Sequence, residues 1–535
     1  MKLYFLFSSA LFSTLIVHSQ TCVADRPVFI RQSQLDSFPL YFPGCASIIG
    51  EIEISGPEIF NLNALMGVKE IFGLKISNTT NLFSLAGLDS LQNVPWDLTI
   101  ENNTGLIDLN HLSSLSPSNT LIINNNDLLE NLNGLQYLTE LYSLVIEGND
   151  GLKNLTGLDN LDTIRGTLNI QYNPLLVDMT GLGSLQSVGN VFQVEHNDGL
   201  KNFIGLNSLS DLNTSFGIEA NFSLENLSGL ESLRTIAKDF KIDSNTQLVS
   251  LKGLNSLEYV GRNFFISYNP RLFSMDGLQS LKTVGRTLKI YYNTHLIQLS
   301  GLTGLDSIHH DFTVDHLHIL NFTGLGSLQY IGGEFTSTSN DIQSFDGLNS
   351  LNAIDGGVFL FGNNALTDLN GLESVKTIRK NITISSNHGL VTLSGIDYID
   401  PQYIDDITIH RNESLTHCAV ESFCQFLMTD TIMASENFVG CNSSAEILSA
   451  CAVSVNDPLP ENENLIFPNP TSEFIDFNGI DLSNSEIRIM DCQGRFVNDY
   501  NLLSNRIFLS SLPKGLYFIS FQSKNQRFVK RVIKI

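Results

Sequence analysis

Three acidic side chains, Glu195, Glu219 and Asp243, follow one another at intervals of 24 residues. If one interval is one coil of a stacked structure, they fall on successive rungs about 4.8 Å apart. Retaining glycosidases hold two carboxyl groups about 5–5.5 Å apart, so the spacing fits such a pair. It also fits a stripe that binds calcium or a basic partner through several carboxylates. The third reading is a row of solvated acids that keeps a sheet face from aggregating. A stack offers this spacing at every rung and the sequence indicates no cleft, so solvated acids are the expected role. Aromatic residues take over the same face further along, at Phe265, Tyr291, Phe359 and Phe361. Such rings can stack on sugars or pack against a protein partner, although exposed strands also favour aromatics for their own sake.

Other chemistry is sparse. His309, His310, His316 and His318 lie within ten residues, a density at which a metal site is conceivable. Neighbours on a strand point to opposite faces, so few of these rings converge and no metal is assigned. Asp211-x-Asn213-x-Ser215-x-Gly217 has its glycine one place late for a calcium loop. No H-E-x-x-H, G-x-S-x-G, Walker or G-x-G-x-x-G pattern occurs. The expectation is therefore a protein that is not an enzyme and needs no cofactor, with calcium as the one candidate ion.

The element that positions these residues is a repeat. Gly-Leu recurs from Gly87 and Gly134 to Gly371, with His111 and Ala64 in the Gly place of early copies and Gly395-Ile396 as the last. The steps are 23 or 24 residues, making fifteen units between about residues 50 and 412. A fixed period in the twenties marks a solenoid. Leu168-x-Ile170, Phe216-x-Ile218 and Leu288-x-Ile290 alternate with period two, hence a short strand in each coil. Stacking these strands builds a parallel sheet, and the Leu residues of Gly-Leu-x-Ser-Leu close the other side of the core. Three residues after each strand stands an Asn, including Asn173, Asn197, Asn221, Asn245, Asn269 and Asn293. These predict a buried ladder of amides that satisfies backbone groups at the turn, broken at Thr79 and Leu317.

The unit Gly-Leu-x-Ser-Leu-x-x-Val/Ile followed by Leu-x-Ile-x-x-Asn resembles the receptor L domain. That is the leucine-rich-repeat-like β-helix of growth-factor receptors and some fungal and bacterial surface proteins. Growth-factor receptor L domains have far fewer coils, so their partners do not carry over. The fold expected is mainly β, a long right-handed leucine-rich-repeat or β-helix solenoid of about 15 coils of 23–24 residues, with a small C-terminal β-sandwich.

The two ends describe the route of the chain. Lys2, the apolar run Leu3 to Val17, and Val17-His18-Ser19 read as a signal peptide over residues 1–19, cleaved before Gln20. No later stretch reaches 18 apolar residues, so no transmembrane segment is expected in the mature chain. Cys22 and Cys45 lie before the repeats, and Cys418, Cys424, Cys441 and Cys451 after them. Even sets at both ends suggest disulfide-stapled caps over residues 20–49 and 413–452, with the connectivity of the last four open. Their spacings of 6, 17 and 10 residues lack the pairs that zinc ribbons use. Residues 453–464 are a polar linker.

From residue 465 to 535, short alternating segments are separated by turns such as Asn478-Gly479 and Pro513-Lys-Gly515. Phe467-Pro468-Asn469-Pro470, Ile489-Met-Asp-Cys-Gln-Gly494-Arg495, Leu512-Pro-Lys-Gly515-Leu-Tyr-Phe518 and the basic end Lys530 to Lys534 closely resemble the C-terminal sorting domain of type IX secretion cargo. The resemblance implies contact with that machinery, removal of the segment, and anchoring at the outer-membrane surface or release.

Charge narrows the partners. The net charge is −25, and Lys2 with a two-charge basic surplus from Glu463 onward leaves about −28 on residues 20–462. Nucleic acid and anionic membrane surfaces are poor partners for such a chain. The expected function is non-catalytic binding or adhesion, with a protein or glycan recognised on the exposed sheet face. The alternatives are a polysaccharide-acting β-helical enzyme using stacked carboxylates, and a structural envelope component.

Overall fold

The computed structural model describes residues 20–23, 26–116, 118–454, 466–467, 471–477, 486–491, 495–497, 501–503, 506–522 and 527–534. The expected signal peptide, most of the linker, Pro468, Asn469, Pro470, Cys492 and Gly494 lie outside them. The chain divides into two compact units, residues 1–209 and 210–535. Both contain a mostly parallel β-solenoid, about 17 turns in all.

In the first unit, the strands Glu70–Ser77, Leu98–Glu101, Ser118–Asn124, Glu140–Glu147, Leu168–Gln171 and Val191–Glu195 pair in parallel and in register. Leu74, Leu98, Leu121, Leu144, Leu168 and Phe192 form one inward column, with Ile76, Ile100, Ile123, Ile146, Ile170 and Val194 beside it. All of these are buried. Period-two alternation fixes this register, because a slip of one residue would turn the whole apolar set to solvent. Before the first coil, Gln20–Val23 and Val28–Arg31 both pair with the long strand Cys45–Glu58, and Cys22 is bonded to Cys45.

The second unit repeats the scheme from Ser215–Glu219 to Ile407–His410. Its inward column is rich in Phe, and the rings stack along the axis: Phe216 on Phe240 at 5.4 Å and Phe240 on Phe264 at 4.9 Å. A second parallel sheet of eight two-residue strands, from Asp211–Leu212 to Thr377–Ile378, closes an adjacent side. It is built on the Val/Ile of each unit, which the sequence pattern places in the core without revealing the ladder. Between the two sheets lies a bend, such as Ala237-Lys238. The Gly-Leu glycine turns another corner against the coil below: Gly253 has φ +115°, and a Cβ there would sit 1.9 Å from Leu227 O.

The stack continues past residue 412. Met433–Ser435 pairs with Thr408–His410 as a further rung, and Asn437 accepts from Asn412 N at 3.0 Å. The helices Glu421–Phe426 and Ser444–Ser454 flank this rung, tied by Cys418–Cys441 and Cys424–Cys451. Beyond them are two four-stranded antiparallel sheets sharing the core of Ile475, Ile489, Ile507, Leu509, Leu512, Tyr517, Ile519 and Val532. Gly515 begins the strand Gly515–Gln522 there.

Candidate binding surface

The outer face of the long sheet is carried on a hydrogen-bonded corner. At the end of the strand one residue adopts the left-handed conformation, and the next is the ladder Asn in all coils described from Glu70 onward except those of Thr79 and Leu317. In the second unit Asn269 Nδ2 donates to Ile242 O at 3.0 Å, one coil below, and to Ser267 O at 2.8 Å. Its Oδ1 accepts from Asn245 N at 3.0 Å, and its own backbone N–H donates to Asn293 Oδ1 at 3.0 Å. Asn221 N donates to Asn245 Oδ1 in the same way, and Asn293 Nδ2 reaches Ile266 O. Asn173 and Asn197 make the equivalent bonds in the first unit. These amides are fully buried. Thr79, where the sequence predicts a break, joins the ladder: its hydroxyl donates to Asn103 Oδ1 at 2.7 Å. Leu317 has no amide to offer, but its N–H donates to Asn340 Oδ1 at 2.9 Å and the ladder resumes there.

The acidic column is heavily engaged. Glu195, in the first unit, has Gln193 Nε2 at 3.5 Å and His196 Nε2 at 3.5 Å. In the second unit Lys241 projects between two rungs, forming an ion pair with Glu219 and lying 3.8 Å from Asp243. Asp243 also accepts from the hydroxyls of Ser267 and Ser244. Burial works against the Lys241 ammonium, but its hydrogen bond to Glu219 and the two carboxylate charges outweigh this and hold its pKa above the ordinary lysine value. The repulsion expected between stacked acids is thus relieved by a lysine on the same face.

The aromatic residues form two groups. Phe265 sits in register between Lys241 and Lys289, and Tyr291 between Ser267 and Asp315. Phe359 is flanked by Thr336 and Thr383, and Phe361, 51% exposed, by Thr338 and Ser385. Four rungs separate Phe265 from Phe359, roughly 19 Å along the stack.

The first group is larger than the sequence indicated. Tyr268, Tyr292 and His316 occupy the left-handed corner, at φ +52°, +53° and +52°. Their rings stack, Tyr268 on Tyr292 at 5.0 Å and Tyr292 on His316 at 4.4 Å. Tyr291 meets Tyr268 edge-on at 5.5 Å, with Lys289 Nζ 4.6 Å above the Tyr291 ring. Tyr172 and His196 make a shorter stack at the same corner in the first unit. The signal was available: Tyr172, His196, Tyr268 and Tyr292 each immediately precede a ladder Asn, and His316 precedes Leu317 at the same place in its coil. In the early coils that place holds Asn78, Asn102, Asn125 and Gly148, which enter the left-handed region at little cost.

The histidines disperse as strand alternation requires. His310 pairs with Asp311 at 2.9 Å, His316 with Asp315 at 2.7 Å, and His318 with Asp341 at 2.5 Å. Among the described residues no group of three or more His, Cys, Asp or Glu is placed to hold a metal ion.

Among the described residues no helix is long and apolar enough to cross a membrane. None of the curated proteins compared with the chain matches it. Residues 465–535 match the family model of the secretion system C-terminal sorting domain. The chain therefore carries at its C-terminal end the sorting domain read by type IX secretion machinery, consistent with a secreted or surface-attached protein.

Proposed function

We propose that this protein is a non-catalytic recognition module of the cell exterior, which holds an extracellular protein or glycan on the outer face of its parallel sheet. The observation that carries this reading is the cluster of exposed Tyr268, Tyr292 and His316 with half-buried Tyr291, beside Phe265. Placing Tyr or His in the left-handed corner costs about 1–2 kcal/mol per residue, and stacking returns about 0.5–1.5 kcal/mol. Stability therefore gains little from these rings over the Asn and Gly used elsewhere, which supports a role in contact with a partner. The likeness of the repeat to receptor L domains supports the same reading. A glycan-cleaving role needs a free carboxylate pair; the engagement of Glu219 and Asp243 by Lys241 supports binding instead.

The test is a glycan and protein array probed with the purified protein, with and without calcium. The double variant Y268N/Y292N places at this corner the residue found at Asn78 and Asn102. Selective binding that this variant loses, with its melting temperature kept, is the expected result. A folded protein that binds nothing would favour a structural envelope role.

A further inference from the structure

On the bend that precedes the sheet face, Lys238, Arg262 and Arg286 stand on three successive coils. Backbone bonds fix their register: Arg262 N donates to Lys238 O at 3.2 Å, and Arg286 N to Arg262 O at 3.1 Å. His310 follows on the next coil, its N–H donating to Arg286 O at 3.0 Å. Arg262, Arg286 and His310 are exposed and Lys238 is half-buried. Elsewhere on the solenoid some exposed cations pair with an acid one coil away, as Lys153 does with Glu130, Arg165 with Glu140, Lys282 with Glu258 and Arg379 with Asp355, while single cations such as Lys201, Lys252 and Lys380 make no ion pair among the described residues. Among the described residues Lys238, Arg262 and Arg286 make no ion pair. The nearest acid in sequence, Asp239, receives the Asn263 amide at 2.8 Å, and Asp311 is taken by His310.

Like charges about 4.8 Å apart repel and weaken the stack. Solubility does not call for them, because the chain already carries −25 and each cation reduces that figure. The same coils carry the aromatic face: the coil of Arg262 bears Phe265 and Tyr268, and that of Arg286 bears Lys289, Tyr291 and Tyr292. Five residues of extended chain separate Arg286 from Tyr291, about 16 Å.

We propose that this row of cations and the neighbouring aromatic face together bind an acidic polysaccharide, a glycan bearing carboxylate or sulfate groups. The proposal rests on the recognition role above and names the ligand for the same face. One pyranose advances an extended glycan by about the height of one coil, so successive acidic sugars meet successive cations, while the aromatic residues about 16 Å away receive another stretch or branch of the same polymer. Duplex nucleic acid, with one charge per about 1.7 Å, would need far more cations than this row offers.

The experiment measures binding of the full chain to immobilised polygalacturonate, dextran sulfate, neutral dextran, duplex DNA and poly-glutamate. The proteins are the wild type, R262A/R286A and the control K153A/R165A, whose cations are paired. The expected result is retention on polygalacturonate or dextran sulfate, the stronger of the two identifying the acid group. R262A/R286A should weaken it about tenfold or more, added salt should weaken it too, and K153A/R165A should not. Retention on DNA or poly-glutamate alone overturns the proposal, as does binding to neither acidic glycan. Neutral-dextran binding that survives R262A/R286A but is lost in Y268N/Y292N overturns the acidic ligand while keeping the sheet face as the binding surface. Unchanged melting temperatures show that the variants fold.

Discussion

Asn269 joins three coils: its side chain and backbone reach Ile242, Asn245 and Asn293. Asn269→Ala strands the Asn245 N–H and the Ile242 carbonyl in a buried corner, at about 1–3 kcal/mol each. A drop in unfolding free energy of about 2–5 kcal/mol is expected by denaturant titration, and a drop under about 1 kcal/mol would show that the ladder is not a principal support. The corner tyrosines should behave oppositely. Y268N/Y292N exchanges stacked rings for a residue that enters the left-handed region readily, so stability should move by no more than about 1 kcal/mol. Binding at the sheet face should fall, and a retained array profile would remove these rings from the site. The ladder was legible in the sequence because Asn recurs in phase. The corner residues were harder to see, because their type varies from coil to coil and only their backbone conformation is shared.

At the scale of the coil, stability comes from corners that approach the neighbouring coil closely. Gly253 combines φ +115° with a carbonyl 1.9 Å from where a Cβ would lie. Gly253→Ala therefore forces a backbone shift as well as strain, and should cost more than about 2 kcal/mol, read as a lowered thermal midpoint. An unchanged midpoint would mean that the corner can open without loss. Strand positions and burial follow from period-two alternation. The two-residue strands of the second sheet do not, because two residues are too short to show a period. The terminal rung Met433–Ser435 was also hidden: the disulfide-bonded insertions around it depart from the repeat, and only its hydrogen bonds to Thr408–His410 reveal it.

For the whole molecule, the sorting domain lets export be tested apart from the proposed binding. Deleting residues 465–535 should leave the protein inside the envelope of a bacterium that uses type IX secretion, as judged by surface labelling and by blotting the medium. Normal appearance outside would show that the segment is dispensable for export. The repeat period, the inward columns, the Asn ladder and the C-terminal sorting domain were determined by the sequence alone. A residue 24 positions away is a physical neighbour in an in-register stack, so this part of the tertiary contact map is written in the spacing. The tertiary structure alone decided how the four C-terminal cysteines pair, that Lys241 lies between Glu219 and Asp243, and that the rings of Tyr268, Tyr292 and His316 stack. It also decided that Lys238, Arg262 and Arg286 stand on three successive coils with no ion pair among the described residues. Those outcomes depend on side-chain directions and on which groups meet across coils, and a repeat period leaves both open.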